Sequence, residues 1–250
     1  MIRAARWGLA AGACALFWHV TQPERACVPL DGHPGAVVCG GRVERAVALA
    51  APKPKPTIEV IVADRLPTER IPPWMPRACR EHWSLFEQAG STHGISPTLL
   101  SIVSLIESGC GGAKRQFGGV IVSSAGAAGI MQIIPATAQG IAANRGLVLP
   151  DDWRTNDALQ IDYGAWLLAG HMRAYGRSAA VDPDYVETIR LSCIAYNGGA
   201  GAVKAYQRGQ GYQESKAHSG LAVGMWQERA AKRSPTFELW RDAGGWRWMD

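Results

Sequence analysis

The chain has 250 residues, of which 47% are apolar and 19% charged, and a formal net charge of +5. That length and apolar share suit one globular domain with appendages and exclude a disordered or fibrous chain. The basic excess suits contact with anionic wall polymers or membrane surfaces. It is too small, and its Lys and Arg are too scattered, for nucleic acid, which calls for a basic stripe interleaved with aromatic residues.

Residues 1–26 place Arg3 and Arg6 ahead of an apolar run over 7–20, the pattern of an export segment. The run is shorter than the roughly 20 residues of a membrane span. Two outcomes stay open: a cleaved signal peptide, or a retained anchor that ties the protein to the inner membrane. Either way the protein is expected outside the cytoplasm, in the periplasm or cell envelope. Ala11-Gly12-Ala13-Cys14 lacks the leucine that a lipidation site carries ahead of its small residues, so lipidation is not expected.

Residues 27–76 read as a Pro-rich linker, because Pro52, Pro54 and Pro56 alternate with lysines and Pro67, Pro72, Pro73 and Pro76 follow, which interrupts any long helix. One short helix is expected over 43–51 and one short strand over 58–62. Beyond the export segment stand Cys27, Cys39, Cys79, Cys110 and Cys193, an odd number that excludes complete pairing within the chain. In an oxidising compartment Cys27 with Cys39, flanking a Gly/Pro turn, is the expected bridge. Cys79 with Cys110 is a second option, and Cys193 reads as a buried small hydrophobe. No Cys or His cluster has zinc spacing, so neither metal nor cofactor is expected.

From residue 77 onward the periodicity is helical. Cys79, Trp83, Phe86 and Ala89-Gly90 suggest a first helix. Ser96-Pro97 then supplies an N-cap and a first-turn proline, Leu99, Ile102, Val103 and Ile106 form one apolar face, and Gly109 ends the helix. Glu107 lies four residues after Val103 and seven after Leu100, so it projects beside the apolar stripe. Burial disfavours a carboxylate, and the negative end of the helix dipole pushes the same way. Both favour a carboxyl that keeps its proton, the state from which a general acid starts. Trp153, Tyr163, Trp166 and His171 fall at helical spacing and read as core rather than as sugar-stacking platforms.

Three motifs follow in order: Glu107-Ser108-Gly109; Ser123-x-x-Gly126-Ala127-x-Gly129-Ile130-Met131-Gln132-x-x-Pro135-x-Thr137-Ala138; and Ala195-Tyr196-Asn197-x-Gly199. Together they resemble the soluble-type (SLT) lytic transglycosylases, glycoside hydrolase family 23, which share a lysozyme-like fold with goose-type lysozymes. The resemblance covers about half the chain. It implies an all-α catalytic domain over residues 77–213 with at most a small β-hairpin near 120–124. It implies Glu107 as the single catalytic acid/base, and Ser108, Ser123, Met131, Gln132, Tyr196 and Asn197 as substrate-binding or orienting residues, with Tyr196 holding Glu107 in place and Gln132 presenting its amide. Arg115-Gln116-Phe117 resembles a longer-loop branch, and Gln160 stands where the family usually has Asn.

The resemblance also implies a reaction: cleavage of the β-1,4 bond between N-acetylmuramic acid and N-acetylglucosamine in peptidoglycan glycan strands, leaving 1,6-anhydro-muramic ends. The sequence has no second acid between Glu107 and Asp151. A lone carboxyl serves that reaction if the substrate's own 2-acetamido group stabilises the cationic centre, whereas hydrolysis with two carboxylates needs a partner acid across the bond. Two alternatives remain: a hydrolytic goose-type-like lysozyme, if an acid beyond Asp151 reaches the groove, or an inactive wall-binding or scaffold module of a secretion or conjugation complex. Residues 214–250 read as a Trp-containing tail that packs back on the domain, touches the membrane interface or meets a partner.

Overall fold

A computed structural model describes residues 70–112, 119–178 and 180–245, and three strands nearer the N-terminus. The export segment, the proline run at 52–56, the strand expected over 58–62, Arg115-Gln116-Phe117, Trp246 and Trp248 lie outside the described residues. The chain divides into two units, residues 1–57 and 58–250.

In the first unit β1 (Cys27–Pro29), β2 (Ala36–Cys39) and β3 (Arg42–Arg45) form an antiparallel sheet in the order β1-β2-β3. A linker with a helix over 43–51 was expected here, and the strand β3 corrects it. Arg42-Val43-Glu44-Arg45 alternates charge around one β-branched residue, and its register sets Val43 opposite Val38. The rest of that expected helix, 46–51, lies outside the described residues. Cys27 stands opposite Cys39 in the β1–β2 register; the side chains of the expected bridge lie outside the description.

The second unit contains eight helices among its described residues: α1 (Arg77–Glu81), α2 (Trp83–His93), α3 (Pro97–Ser108), α4 (Pro135–Asn144), α5 (Asp157–Tyr175), α6 (Val186–Gln207), α7 (Gln213–Gln227) and α8 (Pro235–Asp242). It is all-α, as expected. α3 is the axis. Its Ser96 cap accepts from Leu99 N, Pro97 opens the first turn, and Gly109 closes the last in the left-handed region. Leu99, Leu100, Ile102, Val103 and Leu105 are at most 1% exposed, so all faces of this helix are covered. Phe86 of α2, Ile161 and Leu168 of α5, Ile189 of α6 and Met225 of α7 complete the same core. Each such side chain contributes roughly 1.5–3 kcal/mol on leaving water. Trp153 and Tyr163 are buried in it and Trp166 packs against it, which fits their reading as core. A disulfide joins Cys79 of α1 to Cys110 just past α3, and Cys193 is free and buried. No described helix is long and apolar enough to cross a membrane.

The chain beyond residue 213 forms α7 and α8, and Ala222, Val223, Met225, Trp226 and Phe237 join the core of the preceding helices. Trp226 Nε1 donates to Asp184 O at 2.9 Å. Trp74 stacks on Phe237 at 5.8 Å between ring centroids and donates to Glu228 O at 3.0 Å, so the two ends of the helical unit clasp each other. This segment is therefore integral to the fold. A chain ending at residue 212 is expected to lose near-UV circular dichroism and to bind a hydrophobic dye, while one ending at residue 233 keeps a cooperative but lower melting transition.

Candidate active site

Between α3 and α4 residues 119–134 form a tongue whose strand character is limited to the isolated bridges Val122–Ala128 and Ala128–Ile133. At most a small hairpin was expected near 120–124; the bridges begin in that span, at Val122, and reach on to Ile133. Gly129 sits at φ +78°, and a Cβ there would lie 2.6 Å from Gln160 Cδ and 2.8 Å from Arg154 O, so the tongue can lie this close to α5 only with glycine. Gln160 is buried behind the tongue and donates to Trp153 O at 3.0 Å. Gln132, at φ +47°, also adopts the left-handed region, which costs a non-glycine residue roughly 1 kcal/mol.

Two backbone carbonyls tether the tongue. Ile130 O accepts from Ser108 Oγ at 2.6 Å and from Ser104 Oγ at 3.3 Å, both on α3. Met131 O accepts from Tyr196 Oη at 2.8 Å, on α6. The tongue thus bridges the end of the acid-bearing helix and the helix facing it.

Between them lies a cleft of about 580 Å³ lined by Glu107, Ser123, Gln132, Tyr196, Asn197 and Glu214, among others. Ser123 Oγ accepts from Ala127 N at 3.1 Å and fixes the tongue's turn. Gln132 Nε2 donates to Ile121 O at 3.2 Å and Gly129 O at 2.9 Å, so its amide nitrogen braces the tongue rather than offering itself to a substrate. Asn197 Oδ1 accepts from Ser215 Oγ at 2.7 Å, which joins α6 to α7 just before the kink at Gly199.

Besides the role expected of the Gln132 amide, expectations for four residues are corrected. Ser108 and Met131, read as substrate-binding, are fully buried and do not line the cleft; Ser108 ties α3 to Ile130 and its Oγ accepts from Gly111 N at 2.9 Å, and Met131 packs on Gly164. Tyr196 reaches the cleft but gives its hydroxyl to Met131 O rather than to Glu107. His171, read as structural, lines the cleft from α5, and burial pushes its ring below the ordinary histidine value.

The group that does touch Glu107 was not anticipated. His218 of α7 brings Nε2 to 2.9 Å from Glu107 Oε1, with side chains 7% and 14% exposed. Glu214 lies one helical turn earlier on the same helix. That i, i+4 pair was the available signal, hidden because the polar Gln213-Glu214-Ser215-Lys216 run does not read as a core helix. Near the acid two further groups are held protonated: burial, then the Glu107 charge, pushes Tyr196 well above the ordinary tyrosine value and the Cys193 thiol up to about 12. Among the described residues no group of three His, Cys, Asp or Glu side chains gathers as a metal would require.

An all-helical domain with a glutamate at a helix end, opening on a cleft roofed by a short tongue, is the arrangement of the lysozyme-like class. A family model for the transglycosylase SLT domain matches residues 84–219, more than half of the chain, and the chain belongs to that family. A solved structure of the lytic transglycosylase Slt from Pseudomonas aeruginosa, an inactive mutant, is similar at 17% identity and a TM-score of 0.44, over 62% of this chain and 25% of that one. The chain thus spans about a quarter of that protein. No curated protein matches it.

Replacing Ser108 by Ala leaves Gly111 N unpaired and Ile130 O on the longer Ser104 contact alone. The expected cost is about 1–3 kcal/mol in denaturant unfolding. The buried Cys193 thiol predicts a pH dependence: its folded value is raised above the usual 9.0, so the stability tied to the uncharged thiol is complete below 9.0 and lost as pH rises toward about 12. The melting temperature is expected to fall over that window less steeply in Cys193→Ala than in the parent chain.

Proposed function

We propose that this protein is a peptidoglycan lytic transglycosylase in which Glu107 is the general acid and then the general base. The carrying observation is Glu107 itself, a nearly buried carboxyl at the end of α3 that still lines the cleft. Membership of the SLT family supports the substrate class. In this reading protonated Glu107 gives its proton to the glycosidic oxygen between N-acetylmuramic acid and N-acetylglucosamine, and the C–O bond breaks. The substrate's acetamido group stabilises the cationic carbon. The carboxylate then takes the proton of the sugar's carbon-six hydroxyl, which closes the 1,6-anhydro ring and regenerates the acid. Ser123, Asn197 and the Gln132 side chain line the sugar path, while Tyr196 holds the tongue.

One observation favours a second reading. Glu214 comes from beyond Asp151 and lines the same cleft, as a hydrolytic lysozyme's second carboxylate would. Digestion of purified peptidoglycan separates the two. Transglycosylation gives products lighter by one water than hydrolysis does, and Glu214→Gln leaves the anhydro ends in place; hydrolysis gives reducing ends and is lost in Glu214→Gln. In both readings Glu107→Gln is expected to fold normally and cut at least about a hundredfold more slowly. A well-folded Glu107→Gln chain that clears peptidoglycan at the parental rate overturns the assignment.

Export to the periplasm or envelope belongs to the same proposal. Arg3, Arg6 and the apolar run support it, as does the Cys79–Cys110 disulfide, which persists in an oxidising compartment. Inner-membrane attachment follows if the leading segment is retained. Opening the wall for an envelope-spanning secretion or conjugation assembly fits a chain of this size and basic charge.

A further inference from the structure

The contact between His218 and Glu107 has a chemical asymmetry. An ionised carboxylate can only accept hydrogen bonds, so when Glu107 is charged Nε2 of His218 must carry the ring proton. Nδ1, the other ring nitrogen, is buried with no hydrogen-bond partner among the described residues. A ring proton placed there would have no acceptor and would set the bare Nε2 lone pair against the carboxylate oxygen, a mismatch at both nitrogens, whereas the Nε2–H form leaves only Nδ1 unpaired. The surroundings therefore select the Nε2–H tautomer. A single tautomer then suits both states of the acid, provided that the acid's own proton sits on Oε2: a proton on Oε1 would face the Nε2–H, donor against donor. Glu107 lines the cleft, its Oε1 is engaged by His218, and its Oε2 has no hydrogen-bond partner among the described residues, which leaves Oε2 for a molecule in the cleft.

We propose that His218 is the positioning residue that assigns the two oxygens of Glu107, holding Oε1 from behind so that Oε2 alone gives and takes the proton. This rests on the reading of Glu107 as the general acid. During the cycle Oε2–H protonates the leaving oxygen, the C–O bond breaks, and Oε2 receives a proton from the attacking hydroxyl, while the Nε2–H to Oε1 bond stays in place throughout. The histidine moves no proton. It removes the freedom of the carboxyl to rotate or to present the wrong oxygen, a freedom that would lower the fraction of productive encounters.

The test uses the full chain with His218→Phe, which keeps a ring and removes the donor, and His218→Gln, which keeps an amide donor at similar reach. Thermal melts report whether each variant folds. The expected result is a kcat lowered roughly tenfold or more in His218→Phe with KM near the parental value, and most of the rate restored in His218→Gln. The nitrogen-15 spectrum of the parent, with His218 assigned from the His218→Gln spectrum, is expected to show a protonated Nε2 and a bare Nδ1. A folded His218→Phe chain with parental kcat, a His218→Gln chain as slow as His218→Phe, or a ring protonated on Nδ1 overturns the proposal. Should the parent release no muropeptides, the catalytic reading fails by itself, and the spectrum still decides whether Nε2–H faces the acid.

Discussion

Two buried carbonyls, those of Ile130 and Met131, decide how this cleft is built. The tongue pairs part of its backbone with itself, Ala128 with Ile133 among others, but these two carbonyls take their donors from outside it. Ser108 and Ser104 supply them from α3, and Tyr196 supplies one from α6. Each such bond contributes on the order of 1 kcal/mol net, but losing one strands a buried carbonyl at greater cost. The relative placement of the two helices that carry Glu107 and Asn197 is therefore tied to the tongue between them. Residues with the look of ligand-binding groups, Ser108 and Tyr196, serve first as braces.

Electrostatics around Glu107 follow from what is absent as much as from what is present. His218 touches the acid, Tyr196 and Cys193 lie uncharged near it, and among the described residues no Lys or Arg lines the cleft. A cation against the carboxyl would favour its ionised form and weaken it as an acid.

Legibility in the sequence tracked the range of the interactions involved. α3 was readable to the residue because its signals are local: the Ser96 hydroxyl on Leu99 N, Pro97 in the first turn and Gly109 at the end. The core status of Trp153 and Tyr163 was readable from spacing. His218 was not, since its contact with Glu107 spans 111 residues and its helix has a polar first turn. Ser108 and Met131 were placed in the groove because a motif records which residues recur, not whether they face substrate or brace the backbone that does. The strands near the N-terminus were obscured by neighbouring prolines, although Ala36-Val37-Val38-Cys39 is a β-branched run that could have announced one.

The clasp of Trp74 on Phe237 and Glu228, together with the distance in sequence between Glu107 and His218, sets an order of events during synthesis. Chains emerge from the N-terminus, and an emerging stretch can bury only what has already appeared. When Glu107 is out, the tongue, the facing helix and the histidine behind the acid are still to come. A half-made molecule holds its carboxyl without a groove to aim it. The finished cleft arises only after α7 has closed on α3, with His218 following Glu107 by 111 residues, so through that interval the carboxyl exists without the walls that confine it.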